Sequence, residues 1–388
     1  MSTIIRTRSP YFIRTPRVTG STNIANLSYF QINITVFGGV NSTVDLCNDI
    51  YTTYSLQKKP LGAEVSVSFD ISEIVNDHIE QIFTGTYPAS QAKSSIWVTV
   101  TTSARESDGT VIGSTTSNNY LAQEGYNKFT EGVNYTIEPI AMLSSNYIQY
   151  HKGADLIIPL NVEQVGSVKM IDSNGDNNVT NVTDNGNNNQ KIKYLNWPTT
   201  GSVVPKVLQL YSGSEGQGTL LNKIILEPVE ECKYPVNKIT FVNRWGAMQD
   251  LFFFKKSTES LEATRETFNR SIFEARRVNI DDGDEPTDPC RITKEYNVYS
   301  TTSHAKKTFN SNATESIVLN TGFVNELMNP YFEELMVSEY IWLTDSSDTI
   351  FPVNLKESSF AKKTGLNDRL INYTMSFEKS FSLVNNIR

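Results

Sequence analysis

Histidine and cysteine are scarce in this chain: His78, His151 and His304 are the histidines of 388 residues, and Cys47, Cys232 and Cys290 the cysteines. Nucleophilic catalysis needs a thiol or hydroxyl beside a base, and no GxSxG, no HExxH and no cysteine close to a histidine occurs. His78 falls on an apolar stripe, where a satisfied core or boundary histidine is the simpler reading. Ser303 with Lys306 and Ser359 with Lys362 form S-x-x-K pairs that a chain rich in both residues produces by chance. Gly213, Gly216 and Gly218 lack the Gly-Lys-Ser/Thr of a phosphate cradle and read as a hairpin turn. An odd number of distant cysteines without a CxxC pair supports neither a disulfide framework nor a zinc site.

Oxygen ligands are more plentiful. Asp172, Asn174 and Asp176 match the first three positions of a calcium loop. Asn177 stands where glycine is needed and Thr183 where a bidentate glutamate should close the site, so the candidate is weak. A second acidic knot, Asp281, Asp282, Asp284, Glu285 and Asp288, has Arg276, Arg277 and Arg291 nearby to balance it. A carboxylate pair for glycoside hydrolysis leaves no signature in sequence, since any two of 42 acids can converge in space. These residues point to a non-enzyme without a cofactor.

The elements that would hold such groups are mostly strands. In SYFQINITVF, Phe30, Ile32, Ile34 and Val36 share one face, while Gln31, Asn33 and Thr35 share the other. EVSVSFD, SIWVTVTT, KIKYLNW, VLQLYSG, LLNKIILEPV, KITFVNRW, YNVYSTT, SIVLNT and RLINYTMSF repeat the device between Gly, Asn and Pro turns. The chain is therefore expected to be mainly β, in several β-sandwich or β-barrel units. Two stretches break the rule: Ile71, Ile74, Val75, His78, Ile79, Ile82 and Phe83 follow helical spacing, and Val324, Leu327, Met328, Tyr331, Phe332, Leu335 and Met336 repeat it. Asp70 with Glu73 resembles a capping box, and Pro330 predicts a kinked or two-piece second helix. Each terminal domain is thus expected to carry one amphipathic helix packed on a sheet. Both stripes lie between a strand and a Trp-bearing strand, with Trp97 and Trp342, which reads as a duplication or as spacing common to helix-covered sheets.

Three domains are expected: 1-133 with a basic arm and one helix, 134-230 with an Asn/Asp-rich protruding loop over 172-190, and 231-388 with the kinked helix. At 20% charged and 38% hydrophobic residues the composition is globular. A net charge of -8 argues against general nucleic-acid binding, and no apolar run reaches the roughly 18 residues of a membrane span. MSTIIRTRSPYFIR lacks the apolar core of a secretion signal, so synthesis in a cytoplasm is expected. Before Asp45 there is no acid, while Arg6, Arg8, Arg14 and Arg17 are present; this is a solvated basic tail or an arm that docks on an acidic neighbour. In FVNRWGAMQDLFFF, Trp245 and the run Leu251, Phe252, Phe253 and Phe254 flank Gly246 as a hairpin too apolar for water, part core and part subunit contact. Arg6, Arg8, Arg14, Arg17, Trp245 and Phe252 are the candidate interface residues.

SPYFIR, FDISEIVNDHI followed by SIWVTV, FVNRWGAMQDLFFF, NPYFEELMVSEYIWL and LINYTMSFEKS together resemble virion structural proteins of tailed bacteriophages, particularly those infecting Bacteroidota. The similarity is scattered over both terminal domains and leaves out the middle one. It implies a tail, neck or baseplate subunit that forms a ring with copies of itself, meets other virion proteins, and is assembled in the host bacterial cytoplasm. It transfers no active-site residue. Two other classes stay open from the residues: a receptor- or glycan-binding β-sandwich using aromatics such as Trp197 and the Asn-rich loop, and a glycan-active enzyme.

Overall fold

Alternation in the sequence becomes the two faces of sheets. The structure, a computed structural model, describes residues 4–39, 42–87, 94–182, 191–197, 204–279, 293–365 and 371–384. The protein is mainly β, with several multistranded sheets and three short helices among these residues.

The first stretch contains β1 (Ile4–Arg6), β2 (Phe12–Arg14), α1 (Ser21–Asn26), β3 (Tyr29–Phe37), β4 (Tyr51–Lys58), β5 (Ser68–Asp70), α2 (Ser72–Asn76), β6 (Ser95–Arg105) and β7 (Val111–Gln123). Five strands form a sheet ordered β1-β7-β6-β3-β4, antiparallel except between β1 and β7. Phe30, Ile32, Ile34 and Val36 of β3 are buried and pack in one core with Val67, Phe69, Ile71, Val75 and Ile79. On the opposite face Thr35 meets Thr53 at 3.0 Å, Gln31 meets Ser55 at 2.8 Å and Thr99 meets Asn119 at 2.8 Å. On this sheet Asn, Ser and Thr thus supply cross-strand hydrogen bonds on a wet face.

The middle stretch contains β8 (Tyr147–His151), β9 (Leu156–Asn161), β10 (Ser167–Asp172), β11 (Asn177–Asn181), β12 (Ile192–Trp197), β13 (Pro205–Tyr211) and β14 (Leu220–Val229). Its sheet is ordered β11-β10-β13-β14-β8, and β9 pairs with β12 apart from it. The last stretch contains β15 (Asn237–Val242), β16 (Met248–Phe253), β17 (Thr258–Asn269), β18 (Phe273–Asn279), β19 (Thr293–Tyr299), β20 (Lys306–Val324), α3 (Asn329–Met336), β21 (Ile341–Thr344), β22 (Ile350–Leu355) and β23 (Ile371–Lys379). Seven of these form a sheet ordered β16-β15-β21-β22-β23-β20-β17, while β18 and β19 make a separate hairpin. By compactness the chain divides otherwise than by sheet. Met1–Thr258 with Val318–Phe377 is one unit, and Glu259–Ile317 with Glu378–Arg388 is the other.

The first helix is a correction. A stripe from Ile71 to Phe83 predicts three turns, yet α2 has five residues and ends at Asn76. Ile71, Val75 and Ile79 stay in the N-terminal core, but Phe83 is claimed by a different cluster with Val242, Met248 and Trp342. One straight helix cannot serve both, so the chain leaves it, and Ile82 is left 56% exposed. The expected capping box of Asp70 with Glu73 is not formed: Ile71 is the N-cap, without a side-chain cap, and Asp70 Oδ1 instead accepts from the Ser72 N–H at 3.1 Å and hydroxyl at 2.8 Å. The second stripe is two-piece, as Pro330 implies: a 3-10 turn over Glu326–Met328, capped by Asn325, leads into α3. Val324 lies outside it, at the end of β20. The order strand, helix, Trp-bearing strand occurs at both ends, but the topologies differ: β5 pairs with β2 outside the five-stranded sheet, whereas β20 is inside the seven-stranded one.

Candidate functional site

Two of the arginines expected to reach a neighbour turn inward. β1 is hydrogen-bonded into the sheet beside β7, which carries Arg6 and Arg8 into the first unit. Arg6 Nη2 donates to Glu138 Oε2 at 2.5 Å and Nη1 to the Trp245 carbonyl at 2.5 Å, with the side chain only 2% exposed. Burial pulls the Arg6 guanidinium down and pushes the Glu138 carboxyl up, while the ion pair opposes both shifts. Arg8 Nε pairs with Glu339 at 2.8 Å, and its Nη2 donates to the Val337 carbonyl at 2.7 Å. The free basic arm is therefore overturned for these two. Arg14, on β2, donates from Nε to Ser66 Oγ at 3.1 Å, and both Arg14 and Arg17 are exposed.

The hairpin read from FVNRWGAMQDLFFF is β15 and β16, and its turn is a junction within the first unit. Trp245 is half-buried beneath two guanidinium groups, Arg244 at 4.2 Å and Arg6 at 5.5 Å from its ring centroid. Arg244 Nη2 grips both oxygens of Glu131, at 2.8 and 2.7 Å. Asn243 Nδ2 donates to the Met142 carbonyl at 2.7 Å, and Glu334 Oε2 of α3 accepts from Ser144 Oγ at 2.8 Å and the Arg244 N–H at 3.2 Å. Gly125 and Gly246 let two turns touch: a Cβ on Gly125 would lie 2.4 Å from the Arg244 carbonyl oxygen, and one on Gly246 2.2 Å from that of Glu124. Phe252 is buried in this unit. Phe252 thus serves the chain's own packing, which corrects its expected place at a subunit contact, while Trp245 keeps part of its ring exposed.

Beside the junction lies a carboxylate that sequence reasoning did not single out. Both Glu124 oxygens are buried without a hydrogen-bond partner, and the nearest cation, Arg8 Nη1, is 4.0 Å away. Burial, reinforced by Glu339 and opposed by Arg8, pushes its pKa up to about 8.

At the calcium candidate, Asp172 Oδ1 accepts from the backbone N–H groups of Asn174 at 2.8 Å and Asp176 at 2.9 Å, closing the β10–β11 turn. The carboxylate is spent on an Asx-type turn. No group of three or more His, Cys, Asp or Glu side chains suited to a metal occurs among the described residues. Residues 183–190, the acidic run 281–288, Cys290 and Arg291 lie outside those residues, and the side chains of Arg276 and Arg277 are likewise undescribed. His78 pairs with the Tyr54 hydroxyl at 2.7 Å, as a boundary histidine should. Trp197, expected on the surface, is buried on β12. An open cleft of about 930 Å³ is lined by Tyr87, Tyr194, Tyr234, Asn196, Asp155 and Lys238 among others. The Tyr87 hydroxyl is held on Asp250 at 2.5 Å, and burial raises its pKa well above the usual phenol range, so it remains neutral.

The surface that lacks an internal explanation is in the second unit. Every residue of β17 is exposed, on both faces of the strand, and so are the first six of β20, its neighbour in the sheet. Phe268 packs on Phe309 at 6.1 Å and Phe273 on Tyr299 at 5.8 Å, yet Phe309 and Phe273 each remain 66% exposed. The register is antiparallel, with the Arg270 N–H on the Ala305 carbonyl at 2.9 Å and Asn310 Nδ2 near Glu266 Oε2 at 3.4 Å. Sequence reasoning passed over this ribbon because TESLEATRETFN puts Leu261 on one face and Phe268 on the other, so neither face reads as inner. That missing face was itself the signal. No protein-family model matches the chain, and no curated protein matches it. Among the described residues no helix is long and apolar enough to cross a membrane.

Proposed function

We propose that this chain is a non-enzymatic structural subunit of a tailed-bacteriophage virion, in the tail, neck or baseplate, where copies of it associate into a ring and meet other virion proteins. The observation that carries the proposal is the exposed ribbon of β17 and the first six residues of β20. A two-stranded ribbon with no buried face is marginal in water, because little apolar burial offsets the backbone entropy of about 1–2 kcal/mol per ordered residue. Twelve residues of β17 extend about 40 Å at about 3.4 Å each, a long exposed surface suited to contact with a neighbour. The resemblance of SPYFIR, NPYFEELMVSEYIWL and LINYTMSFEKS to virion proteins supports the same reading.

The test replaces 259–317 by an Asn-Gly turn joining Thr258 to Val318. Sedimentation velocity is expected to give a large multimer for the full chain and a monomer for the shortened one. A full chain that stays monomeric at all concentrations, and is missing from purified particles, would refute the proposal. A second reading, a glycan-binding protein, draws on the cleft, where tyrosine rings stand beside the hydrogen-bonding groups of Asn196 and Asp155. It expects selective signal from the isolated chain on a glycan array, lost on Tyr234→Ala.

A further inference from the structure

Among the described residues β17 is the last strand of its sheet, so one row of its N–H and C=O groups has no neighbouring strand among them. Long edges are normally blunted by proline, a bulge or a covering loop, because they template pairing with another chain. β17 has no proline, and all of its side chains are exposed. Its charge is one-sided, with Glu259, Glu262 and Glu266 against Arg265. The exposed start of β20 has the opposite sign: Lys306 and Lys307, with no acid before Glu315. On the side of β20 away from β17, the described chain makes its last backbone bond at Ala313, whose carbonyl accepts from the Leu383 N–H at 2.8 Å. From Lys306 to Ser311, before that point, every residue of β20 is exposed.

Resting on the assembly reading above, we infer that the free edge of β17 pairs with the Lys306–Lys307 end of β20 in a second copy of this chain, the glutamates selecting that strand over another β17. Two β17 edges brought together carry the same net negative charge and repel, whereas β17 against β20 sets carboxylates along ammonium groups. The contact uses different surfaces on the two copies. It is therefore heterologous, repeats from copy to copy, and closes into a ring if the rotation allows.

The experiment is charge reversal in the full chain, read by sedimentation velocity. Glu262→Lys with Glu266→Lys, and separately Lys306→Glu with Lys307→Glu, are each expected to weaken self-association on the order of 10- to 100-fold. The chain carrying all four changes is expected to recover it. All four positions are exposed, so the thermal midpoint and near-ultraviolet circular dichroism should stay as in the unaltered chain. If either reversed pair associates like the unaltered chain, or the fourfold variant fails to recover, the edge contact is wrong while the assembly reading stands. An unaltered chain that is itself monomeric and missing from particles removes both.

Discussion

Arg6 and Glu138 show what a buried ion pair does for this protein. Each charge costs several kcal/mol to desolvate, so the pair adds little net stability, but removing one partner strands the other. Glu138→Ala is expected to lower unfolding stability by about 3–5 kcal/mol, measured by denaturant titration. Glu124 is held less closely, with Arg8 Nη1 4.0 Å away, and its folded pKa of about 8 stands above the ordinary 4.5. The folded state holds a proton that the unfolded chain releases, so this contribution is complete below about 4.5 and is lost as pH rises to about 8. Glu124→Gln keeps the shape and removes the titration. The thermal midpoint of the unaltered chain is expected to fall relative to that variant across this window, and parallel curves would contradict the assignment. The four N-terminal arginines were legible as a basic cluster, but their partners were not. Glu138 and Glu339 lie 132 and 331 positions away from Arg6 and Arg8, beyond the reach of any local pattern.

Among the elements, α2 separates what spacing predicts from what packing keeps. Ile82 and Phe83 are neighbours on the predicted stripe, yet one is exposed and the other is buried against Trp342 at 5.7 Å between ring centroids. Phe83→Ala is expected to cost about 3–5 kcal/mol, and Ile82→Ala to stay within about 0.5 kcal/mol, by chemical denaturation. Equal effects would restore the three-turn helix. The turn between β15 and β16 makes a second prediction. Gly246 has φ +78° and backbone within 2.2 Å of a would-be Cβ, so Gly246→Ala combines strain with overpacking. A loss of about 3 kcal/mol or more is expected in the same assay. Strands such as β3 were readable because one face meets the core and the other water, which writes period two into the residues. Where both faces are wet, as in β17, or both buried, as in β16, that contrast disappears.

For the whole molecule, the prediction is that the second unit contributes contact rather than core. Replacing 259–317 by a turn is expected to leave the thermal midpoint of the remaining chain within a few degrees while abolishing the multimer; a collapse in midpoint would mean that the ribbon is structural. The order of residues by itself determined that the chain is mainly β, that the first strands have an apolar and a hydroxyl-rich face, and that Pro330 splits the last helix, because each depends on neighbours within a few positions. Only the tertiary structure decided which charges pair, where the first helix stops, that Trp197, Phe252 and the first two arginines are used up inside the chain, and that among the described residues an acidic strand ends its sheet. Those outcomes depend on which distant surfaces compete for the same side chain, and that competition is settled by packing in three dimensions.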